Sequence, residues 1–389
     1  MIGYNFTDVK NNNRYEIIQK IYQSIDANRN FITRITGLTN AAVTKIINSL
    51  IMEKFISEKN YFSNYRGRKA RYLSICEGSF GVITLYFGRS MITASIADIC
   101  GKIIYSQQYL INYQMIDDLI FNEIVSKTIK HFPSSLSCLG CIVISPGIRL
   151  VEETDDLNKK SKMPYFWNLK KLHDVMQNEY HIPLYTDNVC NAALLGEKWF
   201  GKGRDSNNFV LYSIGKGVGS AVCIQGKLQR GYHNSAIEIG HVTINFEGPD
   251  CDCGNRGCLE LYTSTDRWEQ KLTLQNAYPD QKNKMEAMFF SALRGDSTSL
   301  ELLNQYIQLV TVGAVTLISL FSPEKLIIST NEADYIYLSP FIETIKRELK
   351  TRVYSTRKEE ILVEESDLRQ NAIVLGGIAI AIEKTLYTP

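Results

Sequence analysis

Apolar positions near the N-terminus fall at helical spacing. Ile18, Ile21, Tyr22 and Ile25 lie at i, i+3, i+4 and i+7, one stripe along a helix. Phe31, Ile32 and Ile35 predict a second, shorter helix. Val43, Ile46, Ile47 and Leu50 repeat the first spacing and predict a third helix over residues 40–50. Gly37-Leu38-Thr39 supplies the turn before it, with Thr39 placed to cap. The other face of that helix shows Asn40, Ala41, Thr44, Lys45 and Asn48, small or polar side chains suited to phosphates and base edges. Residues 55–73 read as a β-hairpin carrying Arg66, Gly67, Arg68 and Lys69, basic residues around a flexible glycine that suit a minor groove. Three helices, a turn and a hairpin predict a winged helix-turn-helix over residues 1–75. The competing reading is a three-helix packing module with a solvated basic loop.

Beyond Ser79 the stripes give way to short apolar runs. Residues 82–85, 92–97 and 103–108 read as strands joined through Gly88-Arg89-Ser90 and Cys100-Gly101-Lys102. Residues 209–213 and 219–224 repeat this grammar through Gly215-Lys216-Gly217, followed by Gln225-Gly226-Lys227. The repetition predicts an internal duplication, two similar α/β lobes. A cleft between two lobes is a natural small-molecule site. Helical patterns occupy residues 168–179, 191–200 and 302–321, and residues 325–328 read as a buried strand. The expected division is a head at 1–75, a first lobe at 79–190 completed by a C-terminal helix at 371–389, and a second lobe at 191–370.

Charge sharpens the division. The chain of 389 residues has a net charge of only +2, yet residues 1–75 hold 12 Lys/Arg against 5 Asp/Glu. A basic head on a mildly acidic body fits an anion-binding module, separable from the lobes that follow. The longest apolar stretch, 309–321, is broken by Thr, Gly and Ser and reads as a core helix, short of the roughly 18–20 residues needed to cross a bilayer. Residues 1–20 are polar and Asn-rich, without a signal-peptide core. The expectation is a cytoplasmic protein without membrane insertion.

Of nine cysteines, three crowd together at Cys251, Cys253 and Cys258, with His241 close by. Zinc takes four such ligands tetrahedrally, and a shell closed by four protein ligands is structural. One zinc per chain is expected, the alternative being ordinary buried thiols beside a core histidine. The motifs Glu238-Ile239-Gly240-His241 and Cys251-Asp252-Cys253-Gly254-Asn255-Arg256-Gly257-Cys258-Leu259-Glu260 resemble the signature of the ROK family of repressors and sugar kinases. The resemblance runs over essentially the whole chain. It is nearest to the family's glucose and N-acetylglucosamine repressors, with Arg66-Gly67-Arg68 where their wing motif lies. It implies a winged helix-turn-helix followed by a two-lobed sugar-kinase/actin-like, ribonuclease H-like α/β body.

The resemblance also implies sugar contacts by Asn188, Glu238, His241 and Glu260, with Pro146-Gly147 lining the cleft. Ile237 stands where the family favours glycine, and its branched side chain is expected to crowd that pocket. Phosphoryl transfer needs Mg²⁺-bound ATP and a carboxylate base. The kinases' Asp-x-Gly-Gly-Thr is here Tyr86-Phe87-Gly88-Arg89-Ser90, and Val189 replaces their catalytic Asp. Ser329-Thr330-Asn331 stands in place of the adenosine-side glycines, and Lys216 lies between Gly215 and Gly217. No ATP binding and no enzyme activity are expected. The implied function is a transcriptional regulator, most simply a repressor of carbohydrate genes. It would bind a double-stranded DNA operator as a homodimer or homotetramer, and a sugar or sugar phosphate would control it. The rival readings are control by a sugar-transporter protein partner and, less favoured, a sugar kinase.

Overall fold

The computed structural model describes residues 6–60, 71–89, 91–110, 118–146, 169–232, 237–329, 339–354 and 361–387. The N-terminal segment folds as α1 (Phe6–Gln23), α2 (Arg29–Thr36), α3 (Asn40–Met52), β1 (Ile56–Asn60) and β2 (Arg71–Ile75). Local chemistry sets the breaks. Asn28 caps α2 by accepting from the Phe31 N–H, and left-handed Gly37 closes it by donating to Thr33 O. Thr39 Oγ1 then accepts from Ala42 N at 3.2 Å and starts α3. Val43, Ile46, Ile47 and Leu50 are all buried, as their spacing predicts.

The first stripe needs one correction. The helix ends at Gln23, so Ile25 leaves the helical path and is 86% exposed, while Ile17 completes the buried face. β1 and β2 pair antiparallel from Ile56↔Ile75 to Asn60↔Arg71. Arg66, Gly67, Arg68 and Lys69, which the sequence puts between these strands, lie outside the described residues.

Two five-stranded sheets follow. The first has the order β5-β4-β3-β6-β7, from β3 (Phe80–Phe87), β4 (Met91–Asp98), β5 (Ile103–Leu110), β6 (Ser137–Ser145) and β7 (Leu184–Asn188). The second has the order β10-β9-β8-β11-β12, from β8 (Phe209–Ile214), β9 (Val218–Ile224), β10 (Lys227–Leu228), β11 (Lys325–Ser329) and β12 (Leu362–Glu365). In each, three strands run as an antiparallel meander and two more join parallel to the first of them. The expected duplication is therefore present as a repeated topology. Continuous apolar runs such as β6, buried from Leu139 to Ser145, suit parallel strands covered on both faces.

The chain forms two compact units. One takes in the N-terminal segment, the first sheet, α4 (Asp118–Lys130), α5 (Leu169–Asp174), α6 (Val189–Phe200) and α12 (Asn371–Tyr387). A π-helical turn, Val175–Glu179, continues α5 over the expected helical stretch. The other unit takes in the second sheet, α7 (Glu260–Thr263), α8 (Thr265–Leu274), α9 (Lys284–Leu293), α10 (Ser297–Phe321) and α11 (Ser339–Arg352).

Helix α10 starts earlier than its apolar pattern, because Asp296 Oδ2 accepts from Ser299 N at 2.8 Å and from Ser299 Oγ. The full helix is thus long and apolar enough, by length and composition alone, to cross a membrane. In this fold Leu303, Tyr306, Ile307, Val310, Ala314 and Leu317 bury it in the core of its unit.

Candidate functional site

The cysteine loop is held by backbone before any ion is considered. Thr243 and Cys258 form an antiparallel bridge, as do Asp250 and Arg256. Asn255 Nδ2 donates to His241 O at 3.0 Å, fastening the loop to the short 3₁₀ turn Ile239–His241. Gly257 has φ +63°, and a Cβ there would meet Asn245 O at 1.6 Å, so no other residue closes this turn. Gly240 is equally constrained, since a Cβ would lie 2.1 Å from Val218 O. That close approach seats the 3₁₀ turn directly on β9.

This framework brings His241, Cys251, Cys253 and Cys258 together, one ligand atom from each, all within 4.8 Å of one another. Cys251 Sγ lies 3.7 Å from His241 Nδ1, and Cys253 Sγ lies 3.8 Å from Cys258 Sγ. A tetrahedron with Zn–S bonds of about 2.3 Å has S···S edges of about 3.8 Å. The four atoms thus already stand near the corners such an ion requires. Burial, and after it hydrogen bonding with Cys251 and Cys253, pushes the Cys258 thiol up to about 12. A dication would reverse that, because it binds the thiolate. The histidine presents Nδ1 to the Cys251 sulfur, and its carbonyl oxygen lies 3.5 Å from Cys258 Sγ.

Glu238, Glu260 and His241 lie in the same unit. Glu260 opens α7, and its Oε2 accepts from Val218 N at 2.9 Å. Glu238 is solvent-accessible but surrounded closely enough that desolvation raises its carboxyl above the ordinary value; His241 opposes this and Glu260 adds to it. Ile237 has φ +64°, a left-handed conformation strained for a β-branched residue and native to glycine. The backbone holds it there through Ser220 Oγ, which donates to Ile237 O at 3.0 Å. Its side chain packs against the apolar core of the unit. The expectation that Ile237 crowds a ligand pocket is accordingly revised: this position keeps the glycine-like backbone and spends the added carbons on packing.

In the other unit, β7 passes straight into α6 at Asn188. Asn188 Oδ1 accepts from Cys190 N at 2.7 Å and caps the helix. Asp187 is buried, and its Oδ1 accepts from Asn188 N and from Asn191 Nδ2. Val189 is 6% exposed and apolar. Tyr86 and Phe87 end β3, and Gly215 N donates to Gly217 O across the β8–β9 turn. Gly147, Ser90, Thr330 and Asn331 lie outside the described residues.

Asn40, Ala41, Thr44, Lys45 and Asn48 are all exposed on α3, and the last four lie at i, i+3, i+4 and i+7. Sequence reasoning missed Arg29. Its Nη2 donates to Asn48 Oδ1 at 2.9 Å, its Nη1 to Thr44 O at 3.5 Å and its Nε to Glu58 Oε1 at 3.1 Å. One guanidinium thus clamps α2, α3 and β1, a tertiary contact with no periodic signature.

The segment carrying α3 is also less separable than its charge suggests. Tyr22 and Tyr15 of α1 pack on Trp199 of α6, with ring centroids 4.7 and 5.5 Å away. Tyr22 also meets Phe200 edge-on, and its hydroxyl donates to Ile99 O. Gln23 Nε2 reaches Lys198 O, and Tyr387 of α12 donates to Asn12. Phe55 packs on Phe80 at 4.8 Å. Cutting the chain after residue 75 would strip this cover from Trp199, so the remainder is no longer expected to stand alone.

This is the architecture of a ROK protein. The family profile matches residues 82–384, and the chain belongs to the ROK family. The xylose repressor of Caldicellulosiruptor bescii is 27% identical over 99% of both chains. That of Bacillus subtilis is 27% identical over 98% of this chain and 97% of its own. The N-acetylglucosamine repressor of Escherichia coli O157:H7 is 24% identical, covering 96% of this chain and 92% of its own.

Among solved structures, a ROK family transcriptional regulator, homolog of the E. coli MLC protein, superposes with a TM-score of 0.75 at 23% identity over 97% of each chain. A ROK family glucokinase from Streptomyces griseus, in complex with glucose and AMPPNP, gives 0.62 at 19% identity, covering 77% of this chain and 98% of its own. The regulator matches nearly the full length, whereas the glucokinase matches a shorter part.

Proposed function

We propose that this chain is a DNA-binding transcriptional repressor of carbohydrate genes, released or engaged by a sugar or sugar phosphate. What carries the reading is the near full-length match to repressors combined with an exposed polar face on α3. Asn40, Ala41, Thr44, Lys45 and Asn48 would meet the major groove, and Arg66 to Lys69 the minor groove, of a double-stranded operator. The natural assembly is a homodimer or homotetramer, because winged helices of this kind read paired half-sites. The division into head (1–75), first lobe (79–190 with 371–389) and second lobe (191–370) belongs to the same reading.

Zinc, one per chain, would sit between His241 and the three cysteines as a structural ion. It would hold the loop from which Glu260 projects. Glu238, Glu260 and His241 would accept and donate to sugar hydroxyls in fixed geometry, with donors from Asn188 and backbone at Gly147. Relatives named xylose repressor make a pentose the first sugar to test. The chain would act without catalysis. Val189 cannot take a proton, and the nearest carboxylate, Asp187, is already bonded to Asn188 and Asn191.

The test is a titration of the purified protein against duplexes enriched from a random-sequence library. Xylose, glucose, N-acetylglucosamine and their phosphates are then added. A sugar that raises the melting temperature must also shift DNA affinity, since an effector that favours one state changes the other equilibrium by the same factor. Sugar binding with no change in DNA affinity overturns the regulatory reading, and hexose-dependent ATP turnover overturns the non-enzyme reading.

A further inference from the structure

The first sheet ends on β5, whose one strand partner among the described residues is β4. An edge strand offers a row of backbone N–H and C=O groups to any strand laid beside it. Proteins block such rows with charge, proline, a bulge or a covering element. Ile103–Leu110 holds no charged residue and no proline. Its one irregularity is the extra residue Ile104, between the partners of Ile96 and Ala97, and it leaves Tyr105 to Leu110 in regular register. Ser106, Gln107, Gln108 and Leu110 are exposed. Tyr105 and Tyr109 are half-buried, their hydroxyls 3.3 Å apart, and Tyr105 stacks on His131 just beyond α4.

The strand also reads nearly alike in both directions, since Tyr105-Ser106-Gln107-Gln108-Tyr109 is symmetric in character about Gln107. A strand that pairs antiparallel with its own copy does so about a twofold axis, and facing residues share one side of the sheet. With the axis at Gln107, Tyr105 faces Tyr109 of the second copy, Ser106 faces Gln108, and Gln107 faces itself. Aromatic pairs and hydrogen-bonding polar pairs are combinations that stabilise neighbouring strands. Charge is compatible too: a twofold axis sets each strand against its own charges, and β5 carries none.

We infer that the β5 edge is a self-association surface, on which two copies of this chain pair antiparallel about Gln107 and join their first sheets into one. The inference names a surface for the assembly proposed above and rests on that reading only in expecting more than one chain. Neither DNA nor effector is needed.

The experiment is sedimentation of the full chain over a concentration series without DNA. Wild type should exceed one chain. Gln107→Lys sets two ammonium groups against each other at the axis and should raise the dissociation constant about tenfold or more, whereas Gln107→Asn should leave it near wild type. An unchanged circular dichroism spectrum reports that each variant is folded. A second measurement fixes the register. Ser106→Cys, Gln107→Cys and Gln108→Cys are oxidised beside wild type, whose nine native cysteines give the background. Directly facing residues of antiparallel strands have Cα atoms about 4.5–5.5 Å apart, within the roughly 7 Å a disulfide spans. Gln107→Cys should therefore give a covalent dimer, and the other two, which face each other's position and not their own, should give little. Wild type that remains a single chain overturns the assembly reading and this surface together. An oligomer that Gln107→Lys leaves intact, or that Gln107→Cys does not cross-link above the other two, overturns this surface alone.

Discussion

The two sheets share one strand order, yet their units do different things with it. In the first, the meander connects to its parallel strands through a stretch that carries, among the described residues, the one helix α4, and the N-terminal segment packs against α6. In the second, the corresponding connection between β10 and β11 swells to hold the cysteine loop and α7 to α10. The duplicated frame is neutral scaffolding, and specialisation lies in what was attached to each copy. The attachments are held by different physics. The cysteine loop is tied by backbone bridges and hydrogen bonds around its four candidate ligand atoms, whereas the N-terminal segment depends on aromatic area against Trp199.

Removing one ligand should break this contrast most sharply. Cys258→Ala should take bound zinc from about one per chain to a small fraction, measured by elemental analysis. It should cost about 4 kcal/mol or more in urea unfolding, because metal binding is part of the folding free energy. Protein that is metal-free as purified and as stable as the variant would remove the structural ion.

Trp199→Ala comes next. The side chain is 0% exposed, and truncating such a residue costs about 3–5 kcal/mol. Proteolysis should then cut within α1 to β2 before the rest of the chain. Cleavage unchanged from wild type would mean that the aromatic contact does not hold the segment.

The smallest effect sharpens the account of Ile237. Ile237→Gly loses packing but relieves a left-handed backbone worth roughly 1–2 kcal/mol, so its stability should stay within about 1 kcal/mol of wild type. Ile237→Ala loses the packing and keeps the strain, and should be clearly the worse of the two. Equal melts for both variants would show that the conformation carries no cost.

Much of this was legible in the residues. Helical stripes placed α2 and α3, because a helix that buries one face writes its period into the chain. Repeated Gly-flanked apolar runs exposed the duplication. The ligand cluster announced itself because four residues of metal-binding type rarely crowd by chance. β6 was not recognised, since a strand covered on both faces shows no alternation. Ile25 was misplaced because the helix stops at Gln23, where the apolar pattern continues. The Arg29–Asn48 clamp and the docking of Tyr22 on Trp199 join residues far apart in sequence, and no local spacing encodes them. Ile237 looked like an obstruction because its identity is visible in the sequence and its backbone angle is not.

The aromatic cluster at α6 has an optical consequence. The chain contains three tryptophans, and two fall among the described residues, one in each compact unit. Trp268 donates Nε1 to Tyr262 O and lies under the Lys271 ammonium, so its emission belongs to the helices beside the cysteine loop. Trp199 is sealed under two tyrosines, and its Nε1 has no partner among the described residues. Any event that lifts α1 brings water to that indole and shifts its fluorescence to the red. The protein thus carries its own dye at the junction between the N-terminal helices and the first sheet. With Trp167 and Trp268 both replaced by phenylalanine, effector and operator titrations could be followed at that junction without a label.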